Sequence, residues 1–81
     1  MVGSREVLSE NLKRYRKKNA LQQDTLAVKC GISTREYGKI ERCQVNPSLQ
    51  TLDKLIAGTG LTVAQLLAED FFAEDENGEE K

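Results

Sequence analysis

The sequence predicts an all-α protein, a compact bundle of five short helices in one domain. Apolar residues recur at helical spacing along most of the chain, whereas no segment alternates with a period of two for long enough to indicate a strand. Serine, threonine and glycine occur at the places where these apolar stretches begin and end. At 81 residues, 38% of them hydrophobic, the chain has the length of a single domain with a modest core.

Two helices are predicted in the first part of the chain from their apolar stripes. The first runs from about residue 5 to residue 18 and carries apolar residues at positions i, i+4 and i+7, namely Leu8, Leu12 and Tyr15. The second is short, and Gly31 is well placed to end it because glycine readily adopts the conformation that closes a helix. Its apolar residues are Leu26, Ala27 and Cys30.

Capping signals define the other three helices. The Ser33 hydroxyl can accept from the amide of Glu36, whose carboxylate can accept from the Ser33 amide in turn. This capping box starts a third helix, which runs to about Arg42. Residues 46–48 (Asn-Pro-Ser) break the chain and supply the N-cap of a fourth helix. Residues 62–65 repeat the capping box and open a fifth helix.

Charge is distributed unevenly along the chain, although the formal net charge is only -1. Seven of the 13 acidic residues lie in residues 69–81, so residues 1–68 contain six acids against eleven bases, a net charge of +5. We therefore expect a helical domain at residues 6–68, between a flexible N-terminus at residues 1–5 and an acidic, disordered tail at residues 69–81. A basic domain suits an anionic partner, and the tail is typical of a solubilising segment, a DNA mimic or a tether.

Composition excludes several classes of function. The chain has no His and only two Cys, Cys30 and Cys43, so it lacks the usual ligands of a zinc site and the usual base of an active site. We expect no catalytic activity, no metal and no other cofactor. No apolar run approaches the roughly 20 residues that cross a membrane, and no signal peptide is evident. These observations predict a soluble, cytoplasmic protein without membrane contact.

Two charged residues lie on apolar stripes, where an isolated ion is unfavourable. Arg16 follows Leu8 and Leu12 at i+4 steps on the first helix, and Glu41 follows Tyr37 at i+4 on the third. Either the two charges form an ion pair that orients the first helix against the third, or both side chains reach solvent at the edges of their stripes. Periodicity alone leaves both alternatives open.

The outward face of the third helix is basic and carries no bulky apolar residue. It comprises Ser33, Thr34, Arg35, Gly38, Lys39 and Arg42. A glycine inside a helix is unfavourable by about 0.5–1 kcal/mol relative to alanine, and a close approach by a partner would explain it. The alternative is an ordinary solvated basic face. A second basic cluster ends the first helix, where cations also suit the helix dipole: Lys13, Arg14, Lys17 and Lys18.

Four short segments, in order and at the right separations, resemble the lambda-repressor-like helix-turn-helix domain of phage repressors, Cro and Xre-type regulators. They are residues 21–27 (LQQDTLA), 31–33 (GIS), 40–42 (IER) and 46–49 (NPSL). The resemblance extends from about residue 8 to residue 67. Arg16 and Glu41 occupy the positions of the inter-helix salt bridge in that family, so the resemblance favours the ion pair over the solvated alternative.

The resemblance implies a five-helix DNA-binding domain in which residues 23–30 cross the DNA backbone and residues 33–42 form the recognition helix in the major groove. The implied base-edge contacts are Thr34, Arg35 and Lys39, with Arg35 suited to guanine. The implied backbone or flanking contacts are Gln22, Gln23, Ser33, Gly38, Arg42, Lys17 and Lys18. Gln23 would also brace the next helix, and Gly38 would leave a gap for water or a thymine methyl group.

This chain departs from the family pattern at three positions. Gln22 stands where a serine or threonine usually caps the second helix. Tyr37 replaces a small aliphatic residue on the inner face of the third helix. Cys43 stands where glycine usually closes that helix in a left-handed turn, a conformation that cysteine adopts reluctantly. The exact ends of the helices depend on these positions.

The function predicted from these features is sequence-specific binding of double-stranded DNA. The protein would be a transcriptional regulator, a repressor that acts as a homodimer on a pseudo-palindromic operator. The alternative is an antitoxin-like or other protein-interaction module whose main partner is a protein held by the C-terminal segment. Phe71 and Phe72 follow the last helix and could fold back on the domain, mediate dimerisation or anchor such a partner.

Overall fold

A computed structural model describes residues 3–69 and confirms the predicted all-helical fold. Between residues 3 and 69 the chain forms no strand. None of the helices in this part is both long and apolar enough to span a membrane. Phe71, Phe72 and most of the acidic tail lie outside the described residues, so the roles expected of them stay predictions. The helices are α1 (Ser4–Lys18), α2 (Gln23–Cys30), α3 (Thr34–Glu41), α4 (Leu49–Thr59) and α5 (Val63–Leu66).

The start of α1 lies close to the one that the sequence predicts. The helix begins at Ser4, one residue before the expected start at about residue 5, and the flexibility expected of residues 1–5 stays a prediction. The carbonyl of Gly3 accepts a hydrogen bond from the amide of Val7 at 3.1 Å. Because Val7 is buried, its amide needs a partner within the chain, and a full helical turn before it supplies one.

Three helices begin at the side-chain caps that the sequence predicts. The hydroxyl of Ser33 accepts from the amide of Glu36 at 3.0 Å, but the reciprocal bond of the predicted capping box, from the Ser33 amide to the Glu36 carboxylate, is not formed. Ser48 caps α4 through its hydroxyl, which accepts from the amide of Thr51. At α5 the capping box is complete, because Thr62 and Gln65 each accept a bond from the other's amide. Gln22, the predicted weak cap, precedes α2 without a side-chain cap bond.

The end of α3 shows how the chain turns without glycine. Cys43 adopts a left-handed conformation with φ of 62°. Its amide donates to the carbonyl of Ile40 at 3.0 Å, and the amide of Gln44 donates to that of Lys39 at 2.9 Å. These two bonds satisfy carbonyls that the helix end leaves without partners. Ala20, with φ of 54°, occupies the equivalent place after α1.

The core lies where α1, α2, α3, α4 and α5 meet. Nine residues form it: Leu8, Leu12, Leu26, Ala27, Cys30, Tyr37, Ile40, Leu55 and Leu66. A buried amide joins the two ends of the fold, since Nδ2 of Asn11 donates to the carbonyls of Leu66 at 2.7 Å and Ala68 at 3.0 Å. Cys30 is thus a small buried core residue, as expected, and its burial raises the pKa of its thiol.

α2 and α4 approach each other closely where Gly58 meets Cys30. A Cβ atom added at Gly58 would lie 2.7 Å from Cα of Cys30 and closer still to its Sγ. Only a residue without a side chain fits at such a crossing. α2 packs against α4 and α3 packs against α1. The inner faces of α2 and α3 are therefore buried, and the outer face of α3 remains at the surface.

Candidate nucleic-acid interface

The two faces of α3 differ sharply in burial. Tyr37, Ile40 and Glu41 face the core and are 0%, 1% and 3% exposed. The residues predicted to face outward at the start of the helix, Thr34 and Arg35, are exposed. Ser33 and Arg42 at its two ends are also exposed, and Lys39 is half-buried. The helix therefore presents its basic side to solvent.

The ion pair between Arg16 and Glu41 is present. The guanidinium contacts the carboxylate with two nitrogens, Nε at 2.6 Å from Oε2 and Nη2 at 3.0 Å from Oε1. Its third nitrogen, Nη1, donates to the carbonyl of Leu21 at 3.1 Å. A two-point contact fixes orientation as well as distance, so α1 is held against α3 and against the turn before α2.

Two further donors complete the surroundings of the Glu41 carboxylate. Nε2 of Gln23 donates to Oε1 at 2.9 Å, and the hydroxyl of Tyr37 donates to Oε2 at 2.5 Å. Gln23 thus braces α3, as the resemblance implied. The hydroxyl of Tyr37 explains how an aromatic residue fits where a small aliphatic one was expected, because its polar end reaches an acceptor inside the core.

This arrangement keeps the pair charged. Burial by itself would raise the pKa of Glu41, but hydrogen bonds from Arg16, Tyr37 and Gln23 outweigh it, and the net effect lowers that pKa. The hydrogen bond to Glu41 raises the pKa of Arg16 against the opposing effect of burial. Burial and the bond to Glu41 raise the pKa of Tyr37. At neutral pH the cluster therefore consists of one carboxylate, one guanidinium and two neutral donors.

A groove borders the outer face of α3 on the side of α4. It has a volume of about 380 Å³, and it brings Arg35 and Lys39 next to the turn that precedes α4. Asn46 and Ser48 line this groove, although the sequence assigned them only to the break and the cap. A polar turn directly after a predicted recognition helix is the signal that could have identified them. The lining residues are Ser33, Arg35, Glu36, Lys39, Val45, Asn46, Pro47, Ser48 and Thr51.

The space beside Gly38 is filled rather than open. Gly38 is buried, and the three atoms nearest to the position of a Cβ there all belong to the guanidinium of Arg42, the closest at 3.0 Å. The gap expected for water or a thymine methyl group is thus occupied by the chain's own side chain. Sequence periodicity could not show this, because it gives the direction of a residue and not the path of its side chain.

The predicted backbone or flanking contacts outside α3 lie on α1 and at the start of α2. Lys17 and Lys18 are exposed in the last turn of α1, and Gln22 is exposed just before α2. Lys13 and Arg14, one turn earlier, form ion pairs with Glu10 at 3.8 and 3.6 Å. Gln23 is half-buried, and its amide group is engaged by Glu41.

Comparison with known proteins identifies the family. Residues 12–66 match the family model described as helix-turn-helix. The chain is 32% identical over 72 residues to the immunity repressor protein of Bacillus phage phi105, covering 89% of this chain and 50% of the repressor. It is 36% identical over 64 residues to the HTH-type transcriptional regulator SinR of Bacillus subtilis, covering 78% of this chain and 58% of SinR. The chain thus spans about half the length of the first relative and less than two thirds of the second.

A solved structure agrees with this match. The crystal structure of the hypothetical transcription factor NHTF from Neisseria superposes with a TM-score of 0.77 at 26% identity, covering 98% of this chain and 86% of that one. These relatives are named as a repressor, a regulator and a transcription factor, and not as enzymes. The chain belongs to the helix-turn-helix family of the Cro and C1 type.

Proposed function

We propose that this protein is a sequence-specific, double-stranded DNA-binding transcriptional regulator, a repressor that works in the cytoplasm by occupying its operator. The observation that carries the proposal is the outer face of α3. It carries Arg35 and Arg42, which are exposed, and Lys39, which is half-buried. The opposite face is fixed to α1 and α2 through Glu41. A rigidly mounted helix with a cationic outer face suits the major groove.

In this proposal the contacts divide into two kinds. Thr34, Arg35 and Lys39 contact base edges, and the guanidinium of Arg35 binds O6 and N7 of a guanine. Contacts to the DNA backbone set the position of the helix without reading sequence. The backbone or flanking contacts come from residues at the rim of α3 and from the ends of the neighbouring helices: Gln22, Gln23, Ser33, Gly38, Arg42, Lys17 and Lys18.

The proposed active form is a homodimer. One recognition helix contacts only a few base pairs, and two copies related by a twofold axis double the number of base pairs that are read. Such a dimer places its two recognition helices about one turn of DNA apart, about 34 Å. The operator would therefore be a pseudo-palindrome with two half-sites at that spacing.

Selection of bound sequences from a random duplex pool, repeated at two salt concentrations, tests this function. We expect an inverted repeat to be enriched at both concentrations. Lower salt should increase non-specific recovery, because contacts to phosphates strengthen for all sequences alike. Recovery of duplexes without any preferred sequence would contradict sequence-specific binding, and a single unrepeated site would contradict the dimer.

A further inference from the structure

The side chain of Arg42 lies along the outer face of α3 instead of extending away from it. A Cβ atom at Gly38 would lie 3.0 Å from Nη1 of Arg42 and 3.6 Å from Cζ and Nη2. Long side chains on a helix lean toward its N-terminus and cover the residue one turn earlier. Because Gly38 has no side chain, the guanidinium can settle directly against the backbone of α3.

This position places the guanidinium at the centre of the outer face. Successive residues advance by about 100° around an α-helix. Arg42 therefore lies between Gly38 and Lys39 in angular position, and within about 20° of Arg35, which precedes it by two turns. By residue number Arg42 ends the helix, but its charged group has been brought back toward the residues proposed to read bases.

A second contact restrains the same group. Nε of Arg42 donates to Oε1 of Gln44 at 3.3 Å. The left-handed turn at Cys43 makes this contact possible, because it returns the chain so that the amide of Gln44 bonds to the carbonyl of Lys39. Nη1 and Nη2 make no hydrogen bond or ion pair with residues 3–69. They are the pair of donors that remains for a partner.

We infer that Arg42 reads a guanine in the operator and is not a contact to the DNA backbone, with Gly38 and Gln44 as its positioning residues. The inference rests on the proposed DNA-binding function. A guanidinium that presents Nη1 and Nη2 side by side matches O6 and N7 of guanine in the major groove. Restraint by Gly38 and Gln44 reduces the rotamer freedom lost on binding. A phosphate contact at the rim would need neither restraint.

The first test is the base-pair profile of Arg42 variants. The duplex selected by the wild-type protein and all its single-base-pair variants are titrated at fixed salt by fluorescence anisotropy. Arg42→Ala should weaken binding to the selected duplex about tenfold or more. It should also abolish the preference at one G·C pair per half-site. Arg42→Lys is the matched control for charge, because lysine keeps attraction to phosphate but lacks the planar fork that Gly38 and Gln44 hold in place. It should lose the same preference.

The second test separates positioning from stability. Gly38→Ala should leave the thermal midpoint of unfolding unchanged or raise it, because alanine favours helix. It should nevertheless weaken specific binding about fivefold or more, because the new Cβ displaces the guanidinium. If the effect passes through Arg42, then Gly38→Ala in an Arg42→Ala background should cause no further loss.

Three results would overturn the inference. A uniform loss across all duplex variants for Arg42→Ala would show a backbone contact. Retention of the G·C preference by Arg42→Lys would show that a positive charge at position 42 is enough for that preference, without the two-point contact of a guanidinium. Additive losses in the double variant would show that the methyl group at position 38 obstructs DNA directly. By contrast, if the wild-type protein selects no sequence at all, the proposed function itself fails.

Discussion

At the scale of single residues, the orientation of α3 depends on Glu41. Four hydrogen bonds from three side chains meet on its carboxylate, and these side chains come from α1, α2 and α3 itself. A buried ion pair contributes little net stability compared with apolar packing, but removal of one partner is strongly destabilising. We interpret the cluster as the device that fixes how α3 projects from the domain.

The lowered pKa of Glu41 predicts how stability depends on pH. A carboxyl whose pKa is lower in the folded than in the unfolded state stabilises the fold at a pH above its unfolded value, about 4.3. That contribution is lost as pH falls through the folded pKa. Glu41→Gln should reduce the free energy of unfolding by about 2–3 kcal/mol at pH 7, less than for a fully buried pair because Arg16 keeps contact with water.

Urea denaturation followed by circular dichroism between pH 7 and pH 3 measures this effect. As pH falls, the free energy of unfolding of the wild-type protein should decrease more steeply than that of Glu41→Gln. The two curves of unfolding free energy against pH should therefore converge below about pH 4. Asp53→Asn on the exposed side of α4 is the control, and its curve should stay parallel to that of the wild type. Parallel curves for Glu41→Gln would contradict the pKa direction and the role of the cluster.

The sequence predicted part of this cluster. Helical spacing identified Arg16 and Glu41 as charges on apolar stripes, and the resemblance decided between pairing and solvation. The hydroxyl of Tyr37 was not predicted as a donor to Glu41, although the two residues are one turn apart on the same helix. Spacing brings such residues together, but their rotamers and partners are set by the tertiary packing around them.

At the scale of elements, the turn after α3 stores strain at Cys43. A left-handed conformation is unfavourable by about 1–2 kcal/mol for a residue other than glycine. Glycine loses more conformational entropy on folding than other residues do, and this loss offsets roughly 0.5–1 kcal/mol of the gain. Cys43→Gly should therefore increase the free energy of unfolding by about 0.5–1 kcal/mol, measured by urea denaturation under reducing conditions. Ala20→Gly, at the equivalent turn after α1, should change it in the same direction.

Loss of stability in both variants would show that these turns carry no strain. If Cys43→Gly alone were destabilising, packing of the half-buried cysteine side chain would outweigh the relief of its backbone. Either result would contradict the conformational account of this turn.

The crossing of α2 and α4 gives a second prediction at this scale. Gly58→Ala should destabilise the fold by about 2–3 kcal/mol, because the added Cβ meets the backbone of Cys30, which cannot move without displacing α2. Gly38→Ala is the matched control, since the nearest atoms there belong to the movable end of Arg42. In thermal unfolding, the midpoint temperatures of the two variants should shift from that of the wild type in opposite directions or by very different amounts. Equal shifts would mean that the crossing tolerates a side chain.

The sequence predicted the five helices and their caps well because those signals are local. Ser33, Ser48 and Thr62 accept from backbone amides three residues later, as capping requires. Gly58 lies inside α4 and allows α2 to approach. Contacts between residues far apart in the chain leave no periodic signal, so this crossing could not be predicted.

At the scale of the whole molecule, charge and shape together define the proposed DNA-binding side. The basic residues outnumber the acidic ones in residues 1–68, and α3 turns its cationic face outward. The sequence predicted which residues would share that face. It did not predict the groove beside α4 or the position of the Arg42 side chain, because both result from the path of the chain after α3.

The central claim is that the outer face of α3 reads bases while the surrounding cations contact phosphates. The most direct measurement is the affinity of Arg35→Ala and Lys17→Ala for every single-base-pair variant of the selected operator. Arg35→Ala should lose about 1–3 kcal/mol of discrimination at one base pair in each half-site. Lys17→Ala should weaken all duplexes evenly and reduce the salt dependence by about two units of slope, about one for each half-site of the dimer. Equal weakening of all duplexes by Arg35→Ala would contradict the claim.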